Sequence, residues 1–424
     1  MGRVEYLRCI SCNRHYPLGE VEYTCPSCGP RMGMLDVQYD YDRLRRSSLL
    51  KQIASQKSFS DYAEKSIWRY LPLLPFEKRI PTRLLQVGGT PLYRFPHLAR
   101  RLGVDELYIK DEGGNPTGSY KDRATPLAIY RAQELGKSAL VCASTGNAAA
   151  SLAGLAAMTE FDTYIFVPHN APTAKLAQLR IYGATIFQVD ATYDIAYDLA
   201  LEAADQFGWF NRSDGIHPFL VEGNKTGALE IAEQLAFDLP DCIFVAVGDG
   251  SIIAGICKGF AELKSLGLID STPQVIGVQA QGADAVKRVF DKYDGRKVVP
   301  DDVTATTIAD SIAVGKPRDV VKAVKYVWEN GGSYVSVSDA EIREAISDIA
   351  TATGIFTEPA GATAWAGLCK MQRNGDLDQA VRVAVILTGN GLKDPEAAGE
   401  GSVHQISPSL DEIIAKIDGR SLLK

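Results

Sequence analysis

Long apolar runs are missing from this chain. No stretch approaches about 18 consecutive apolar residues without charge, so no membrane-spanning helix is expected. The amino terminus, Met1-Gly-Arg-Val-Glu-Tyr-Leu-Arg-Cys9, lacks the apolar core of a secretory signal. Gly2 alone is poor support for myristoylation. An excess of positive charge is missing too: the net charge is -7, which argues against non-specific nucleic-acid binding. There is no G-x-x-x-x-G-K-S/T phosphate loop and no short-period repeat. What remains is 424 residues, 46% of them hydrophobic. That is too long and too apolar for disorder, and enough for two medium domains with a small appendage.

Cysteine is used unevenly. Cys142, Cys242, Cys257 and Cys369 are scattered through apolar surroundings, as buried small hydrophobes are. That usage fits a reducing compartment, so a cytoplasmic protein is expected. Cys9, Cys12, Cys25 and Cys28 instead form two CxxC pairs, which can close a tetrahedral four-thiolate site. A unit this short builds little core, so metal binding would supply much of its folding energy. The expectation is a structural Zn²⁺ ribbon over residues 1–35. Iron with the same ligands and free thiols are the alternatives. His15 is expected to be a simple loop histidine. The ribbon can brace the fold, cover an opening or touch another subunit.

Residues 36–83 suggest a connecting helical region with a proline-marked stretch, Leu71-Pro-Leu-Leu-Pro75. From about Leu84 the pattern is α/β. Apolar strands are expected at 107–110, 138–144, 163–168, 184–189, 242–247, 274–280 and 381–388, with helical patterns between them. Such alternation predicts parallel sheets covered on both faces. Ser338 and Glu341 have capping-box spacing. Ser407-Pro408 suggests a terminal helix with Pro at its first position, within a carboxyl-terminal segment 401–424.

Four of these strands run into polar or glycine-rich loops: GGNPTGSYKDR, ASTGN, VGDGS and LTGNG. Ligands of parallel sheets sit beyond the carboxyl ends of the strands, so four strands pointing alike would bring these loops around one cleft. In the first loop, Ser119 can cap a helix beginning near Lys121, and nearby N–H groups would favour a free amine there. Such an amine can condense with an aldehyde and later move a proton; the bland alternative is a surface Lys-Asp-Arg helix start. Pro126 either ends that helix or falls in a first turn. Gly248, Asp249, Gly250 and Ser251 join a strand to a helix whose first N–H groups can receive a phosphate, or make an ordinary structural turn. A dinucleotide reading is poorer, because the next strand ends without the ribose-binding acid. Ser144, Thr145 and Gly146 can hold a carboxylate, Asn147 can donate to a phenolic oxygen, and Thr388 can meet a pyridine nitrogen; ordinary capping is the alternative for each. Glu358 either steers protons or caps the Pro359 helix. Trp328 and Trp365 are expected to be packing residues.

At these residues the chain resembles the threonine synthase family, within the fold-type II (tryptophan-synthase-β-like) pyridoxal-phosphate (PLP) enzymes. GGNPTGSYKDR, ASTGNAAAS, EGNKTGALEIAEQL, TEPAGATAWAG and LTGNGLKD carry the likeness. The resemblance implies two open parallel-sheet lobes around a central cleft over 84–400, the smaller lobe at roughly 137–210, with the zinc ribbon appended. It implies that Lys121 forms the Schiff base and Asn147 lies beside the ring hydroxyl. Gly248, Asp249, Gly250 and Ser251 would cradle the phosphate, and Thr388 would meet the ring nitrogen. Ser144, Thr145 and Gly146 would lie in the substrate-carboxylate loop. The implied lyase reaction removes phosphate from O-phospho-L-homoserine and adds water to give L-threonine, in a homodimer without nucleic-acid or membrane partners. The chain departs from the family where substrate phosphate is held. Asp214-Gly215 stands near the Asn-Ser pair, Leu220 at the arginine position and Asp249 where asparagine is common. Arg212, His217 and Lys225 are nearby groups that can compensate. A related β-elimination or β-replacement enzyme (an amino-acid dehydratase, ammonia-lyase or cysteate synthase) is the alternative.

Overall fold

The computed structural model describes residues 4–46, 64–78, 85–169, 171, 173–378, 381–399 and 405–414. The amino-terminal unit is a three-stranded antiparallel sheet of β1 (Val4–Cys9), β2 (His15–Tyr16) and β3 (Leu35–Tyr39), in the order β2-β1-β3. Its sheet therefore runs past residue 35. The reason is that β3 is anchored in the main body: Lys258 Nζ donates to Asp36 Oδ1 at 2.7 Å, and Tyr39 Oη donates to Glu222 Oε2 at 2.6 Å. Lys325 Nζ also donates to the Ile10 carbonyl at 2.7 Å. These contacts tie the amino-terminal sheet to the main body. His15 is a strand residue, stacked on Tyr6 at 4.1 Å. In the connecting region, the described residues hold the helix Tyr41–Arg45 and the 3-10 helix Ile67–Leu73, which contains Pro72; Leu84 lies outside the described residues.

The body contains two further sheets. β4 (Leu92–Arg94) and β5 (Glu106–Asp111) precede a four-stranded sheet made of β6 (Ala139–Ala143), β7 (Asp162–Pro168), β8 (Thr185–Val189) and β9 (Phe210–Asn211). That sheet is parallel throughout, in the order β8-β7-β6-β9. The chain then returns through β10 (Cys242–Ala246), β11 (Gln274–Ala280), β12 (Ser333–Val337) and β13 (Arg382–Leu387). These join the earlier pair as β12-β11-β10-β13-β5-β4. The large lobe is thus interrupted in sequence by the small one. Its sheet is not purely parallel, since β4 is an antiparallel edge on β5. A short edge strand of this kind is a common end to a parallel sheet.

Burial explains why β10 is apolar without alternation. Ile243 and Val245 pack with Ile253, Ile256 and Val320 on one face, while Phe244 and Ala246 pack with Ile346, Ala362 and Trp365 on the other. Successive strand side chains point to opposite faces, and here both faces are core. Ser338 and Glu341 form the expected capping box of the helix Asp339–Thr353. At the carboxyl end, residues 410–414 are helical, so Pro408 precedes the helix and is not its first residue; residues 401–404 and 415–424 lie outside the described residues. Among the described residues no helix is long and apolar enough to cross a membrane.

Candidate active site

The loop after β5 is held rigidly before it reaches Lys121. Asp122 accepts from Thr117 N at 2.7 Å and Thr117 Oγ1 at 2.6 Å, and Tyr120 N donates to the Thr388 carbonyl at 2.8 Å. Lys121 then lies in the 3-10 helix Tyr120–Arg123, two residues from a buried ionic knot. Arg123 pairs with Glu112 at 2.7 Å and with Glu230 at 3.1 Å, and Lys110 pairs with Glu230 at 2.5 Å, all four side chains being inaccessible to solvent. Ser119 occupies the cap position, but its buried hydroxyl makes no capping bond. The expectation of a Ser119 cap was wrong: an extended backbone tied to the end of β13 positions this turn instead. Pro126 belongs to the first turn of the next helix, Thr125–Glu134, where its missing N–H costs nothing.

The amine of Lys121 meets a carboxylate rather than a row of helix-start N–H groups. It pairs with Asp214, whose other oxygen lies 2.9 Å from Arg212 Nη1. Burial pushes the Asp214 carboxyl up, but the charges of Lys121 and Arg212 outweigh it and hold the group at about 2.

Lys121, Asn147, Gly248, Asp249, Gly250, Ser251 and Thr388 line one small chamber of about 30 Å³, together with Ser311, Ile312 and Glu358. The loops after β5, β6, β10 and β13 therefore converge, because their strands end on the same cleft. Gly250 has φ +99, and a Cβ there would lie 2.7 Å from Ala323 Cβ, so the turn into the helix Ser251–Ser265 requires glycine. The Ser251 hydroxyl donates to Asp319 Oδ2 at 2.8 Å and is thus engaged within the protein. Asp249 turns away through a bond from Arg318 N to its Oδ1 at 2.9 Å. Burial pushes the Asp249 carboxyl up to about 6, with Arg318 opposing and the charge of Asp214 adding.

A second cavity of about 360 Å³ is lined by Thr117, Thr145, Gly146, Gln178, Asn390 and Lys393, and shares Asn147, Ser311, Glu358 and Ala360 with the first. Asn147 Nδ2 donates to Glu358 Oε1 at 2.7 Å and to Ser311 Oγ at 3.2 Å, across the wall between the two. Glu358 thus holds the cap position of the helix Pro359–Asn374 without a capping bond and turns its carboxylate to Asn147. Ser144 stays off this wall, its Oγ accepting from Gly146 N at 3.1 Å. The three groups expected to compensate for the missing arginine are engaged elsewhere. Arg212 holds Asp214, His217 Nε2 lies 3.0 Å from Glu22 Oε1, and Lys225 donates to Glu222 and Glu262 at 2.5 and 3.0 Å. Trp365 is buried in the core, while Trp328 is partly exposed and packs on Phe290 and Tyr293.

Sequence reasoning missed Ser311, Ile312 and Asp319, which come from a 300–319 run with no periodic pattern. It also missed Lys393 as a cavity residue, although the LTGNGLKD run contains it. At the amino terminus, the sulfurs of Cys9, Cys12, Cys25 and Cys28 lie within 4.8 Å of one another. Cys12 and Cys25 are 3.8 Å apart, matching the edge of about 3.8 Å that a tetrahedron with zinc–sulfur bonds of about 2.3 Å requires. Tyr16 Oη sits 3.0 Å from Cys25 Sγ, as an outer partner to a thiolate would.

The sequence pattern described as pyridoxal-phosphate dependent enzyme matches residues 83–389. The chain belongs to that family. It is 38% identical to the threonine synthase of Methanocaldococcus jannaschii, over 96% of this chain and 98% of that one. It is 37% identical to the threonine synthase of Methanosarcina acetivorans, over 92% of this chain and 93% of that one. Among solved structures, serine racemase of Dictyostelium discoideum is similar at a TM-score of 0.60 and 26% identity, with 71% and 92% of the chains covered. Diaminopropionate ammonia lyase of Escherichia coli, at 20% identity, TM-score 0.63 and coverage of 73% and 86%, shares the fold.

Proposed function

We propose that this chain is a threonine synthase, a carbon–oxygen lyase that eliminates phosphate from O-phospho-L-homoserine and adds water at Cβ to give L-threonine. The observation that carries the reading is the near full-length match to threonine synthases, combined with one chamber that gathers Lys121, the 248–251 turn and Thr388. The chamber fits pyridoxal phosphate chemically. An amine faces it, a 15-residue helix begins at it, and Thr388 offers a hydroxyl at the end of β13. Seating the ring requires more room than about 30 Å³, and the cavity of about 360 Å³ lies across the shared wall of Asn147, Ser311 and Glu358.

When bound, the cofactor supplies an electron sink for the charge left as a proton leaves the amino acid. Lys121 Nζ would hold the cofactor's aldehyde and, as a free amine, would be the base that moves the proton. The N–H groups from Gly248 to Ser251 would take the phosphate at the helix start. Thr388 would offer its hydroxyl to the ring nitrogen, where it forces no charge, and Asn147, braced by Glu358, would serve the ring oxygen. Thr145 and Gly146, which line the larger cavity, would orient the substrate carboxylate there, with Ser144 bracing them from behind through the Gly146 N–H. Zinc held by the four cysteines is structural, because four thiolates leave no open position for water. A homodimer in the cytoplasm completes this reading.

A second reading, a related β-elimination or β-replacement enzyme, is favoured by Asp214 and Leu220, which supply no cation for a substrate phosphate. Incubation of the loaded enzyme with O-phospho-L-homoserine, serine and diaminopropionate, with products identified by mass, separates the two. Threonine and inorganic phosphate from the first substrate alone are expected. No threonine from it, with turnover of serine or diaminopropionate, overturns the proposal.

A further inference from the structure

Beside Asp319, which takes the Ser251 hydroxyl, three carboxylates lie on the chamber wall or on the Lys121 amine, and each is engaged differently. Glu358 accepts from Asn147, Asp249 accepts from the Arg318 backbone, and Asp214 pairs with the amine itself. Asp214 is clamped rather than merely nearby. Arg212, with no exposed side-chain surface, lies 2.9 Å from its Oδ1. That guanidinium is fixed in turn by Thr125 Oγ1 at 3.1 Å and the Lys121 carbonyl at 3.3 Å. Between the two, Ser213 N donates to Asn211 Oδ1 at 2.8 Å, and Ser213 Oγ accepts from Ala143 N at 3.1 Å. The Lys121 and Asp214 side chains are 16% and 13% exposed. Burying such a pair costs desolvation and is weak evidence of stabilisation, so the arrangement calls for a local purpose.

We infer that Asp214 is a positioning residue, the built-in counter-ion that holds the Lys121 nitrogen in place and protonated while it is joined to the cofactor aldehyde. The inference rests on the reading of Lys121 given above. In that joining, nitrogen adds to the aldehyde carbon and water leaves; the new linkage is electrophilic toward the substrate amine when its nitrogen carries a proton. The charges around it are Arg212 and Arg318 on the positive side, and Asp214, Asp249 and Glu358 on the negative. Cys142 and Tyr197 are the titratable neighbours. Arg212 opposes positive charge on Lys121, and the Asp214 carboxylate between them reverses that effect. Without it, the nitrogen faces a buried guanidinium directly.

The test is a pH titration of the visible absorbance of bound pyridoxal phosphate in wild type, Asp214→Asn and Asp214→Glu. The titration midpoint should fall by about one pH unit or more in D214N, while D214E, which keeps the charge, stays near wild type. An unchanged midpoint in D214N overturns the inference and leaves the assignment of Lys121 standing. A wild-type band that Lys121→Ala retains overturns both. Reductive labelling of Lys121 by phosphate-free pyridoxal in the unloaded protein, followed by mass, gives a second readout when D214N holds cofactor poorly. Its pH midpoint should drop likewise, and an unshifted midpoint counts against the inference. D214S repeats either measurement where asparagine impairs folding.

Discussion

Gly250→Ala tests the phosphate turn with a magnitude set by the structure. The residue sits at φ +99, where a side chain costs about 1–2 kcal/mol. The added methyl would also lie 2.7 Å from Ala323 Cβ and 3.2 Å from the Asp319 carbonyl oxygen. Ala323 is fully buried in the helix Val320–Glu329, so overpacking adds about 1–3 kcal/mol. The total, about 2–5 kcal/mol, must appear as lost stability of the unloaded protein, weaker cofactor binding, or both. Relaxation of the turn swings the N–H groups at the helix start away from the anion. If only about 2 kcal/mol falls on binding, the Kd for pyridoxal phosphate rises about 30-fold. Fluorescence titration with the cofactor and urea unfolding measure the two parts. Gly267→Ala is the matched control, with φ +74 and nothing within 4 Å of its Cβ. It should lose about 1–2 kcal/mol of stability and none of the affinity. A G250A protein with wild-type stability and affinity, or a G267A protein that binds cofactor equally poorly, would falsify the reasoning.

Glu230→Gln leaves Lys110 and Arg123 buried with one carboxylate fewer, and should cost about 3–5 kcal/mol in urea unfolding; a loss below about 1 kcal/mol would show the knot is energetically idle. Asp249 titrates near 6 against an ordinary 3.8, a raised value, so its contribution to stability is complete below 3.8 and lost as pH rises through about 6. Above that point its charge opposes the cofactor phosphate. Asp249→Asn should therefore bind pyridoxal phosphate more tightly than wild type at alkaline pH and equally at acid pH; equal affinity throughout contradicts the placement. Stripping metal from the ribbon should lower Tm while the folded remainder keeps its cofactor absorbance. Unchanged melting after verified metal loss refutes a structural role.

The chemistry-bearing loops were legible because three of them follow strands that are apolar on both faces, and the fourth follows the short Leu107-Tyr-Ile run of β5, so a sudden run of glycine and hydroxyl residues stands out. Strand β11 was readable to the residue for the same reason. By contrast β12, Ser-Tyr-Val-Ser-Val, is half polar, and β4 is three residues long with two exposed; neither announces itself without its partner strand. The antiparallel edge followed from that miss. Asp214 stands out in the sequence as a departure from the family pattern, but its pairing with Lys121 joins residues 93 positions apart. Spacing cannot reveal such a contact. The Ser251–Asp319 bond and the Arg318–Asp249 bond have the same origin: a loop without periodicity folds over the turn and redirects side chains that the sequence shows only as polar.

The assignment of Lys121 is tested most directly by reducing the loaded protein with borohydride, digesting it and locating the pyridoxyl mass. One cofactor per chain, on the peptide containing Lys121, is the result expected. Modification at Lys110, Lys225, Lys258 or Lys393 instead, or no stable incorporation, would contradict the site described above.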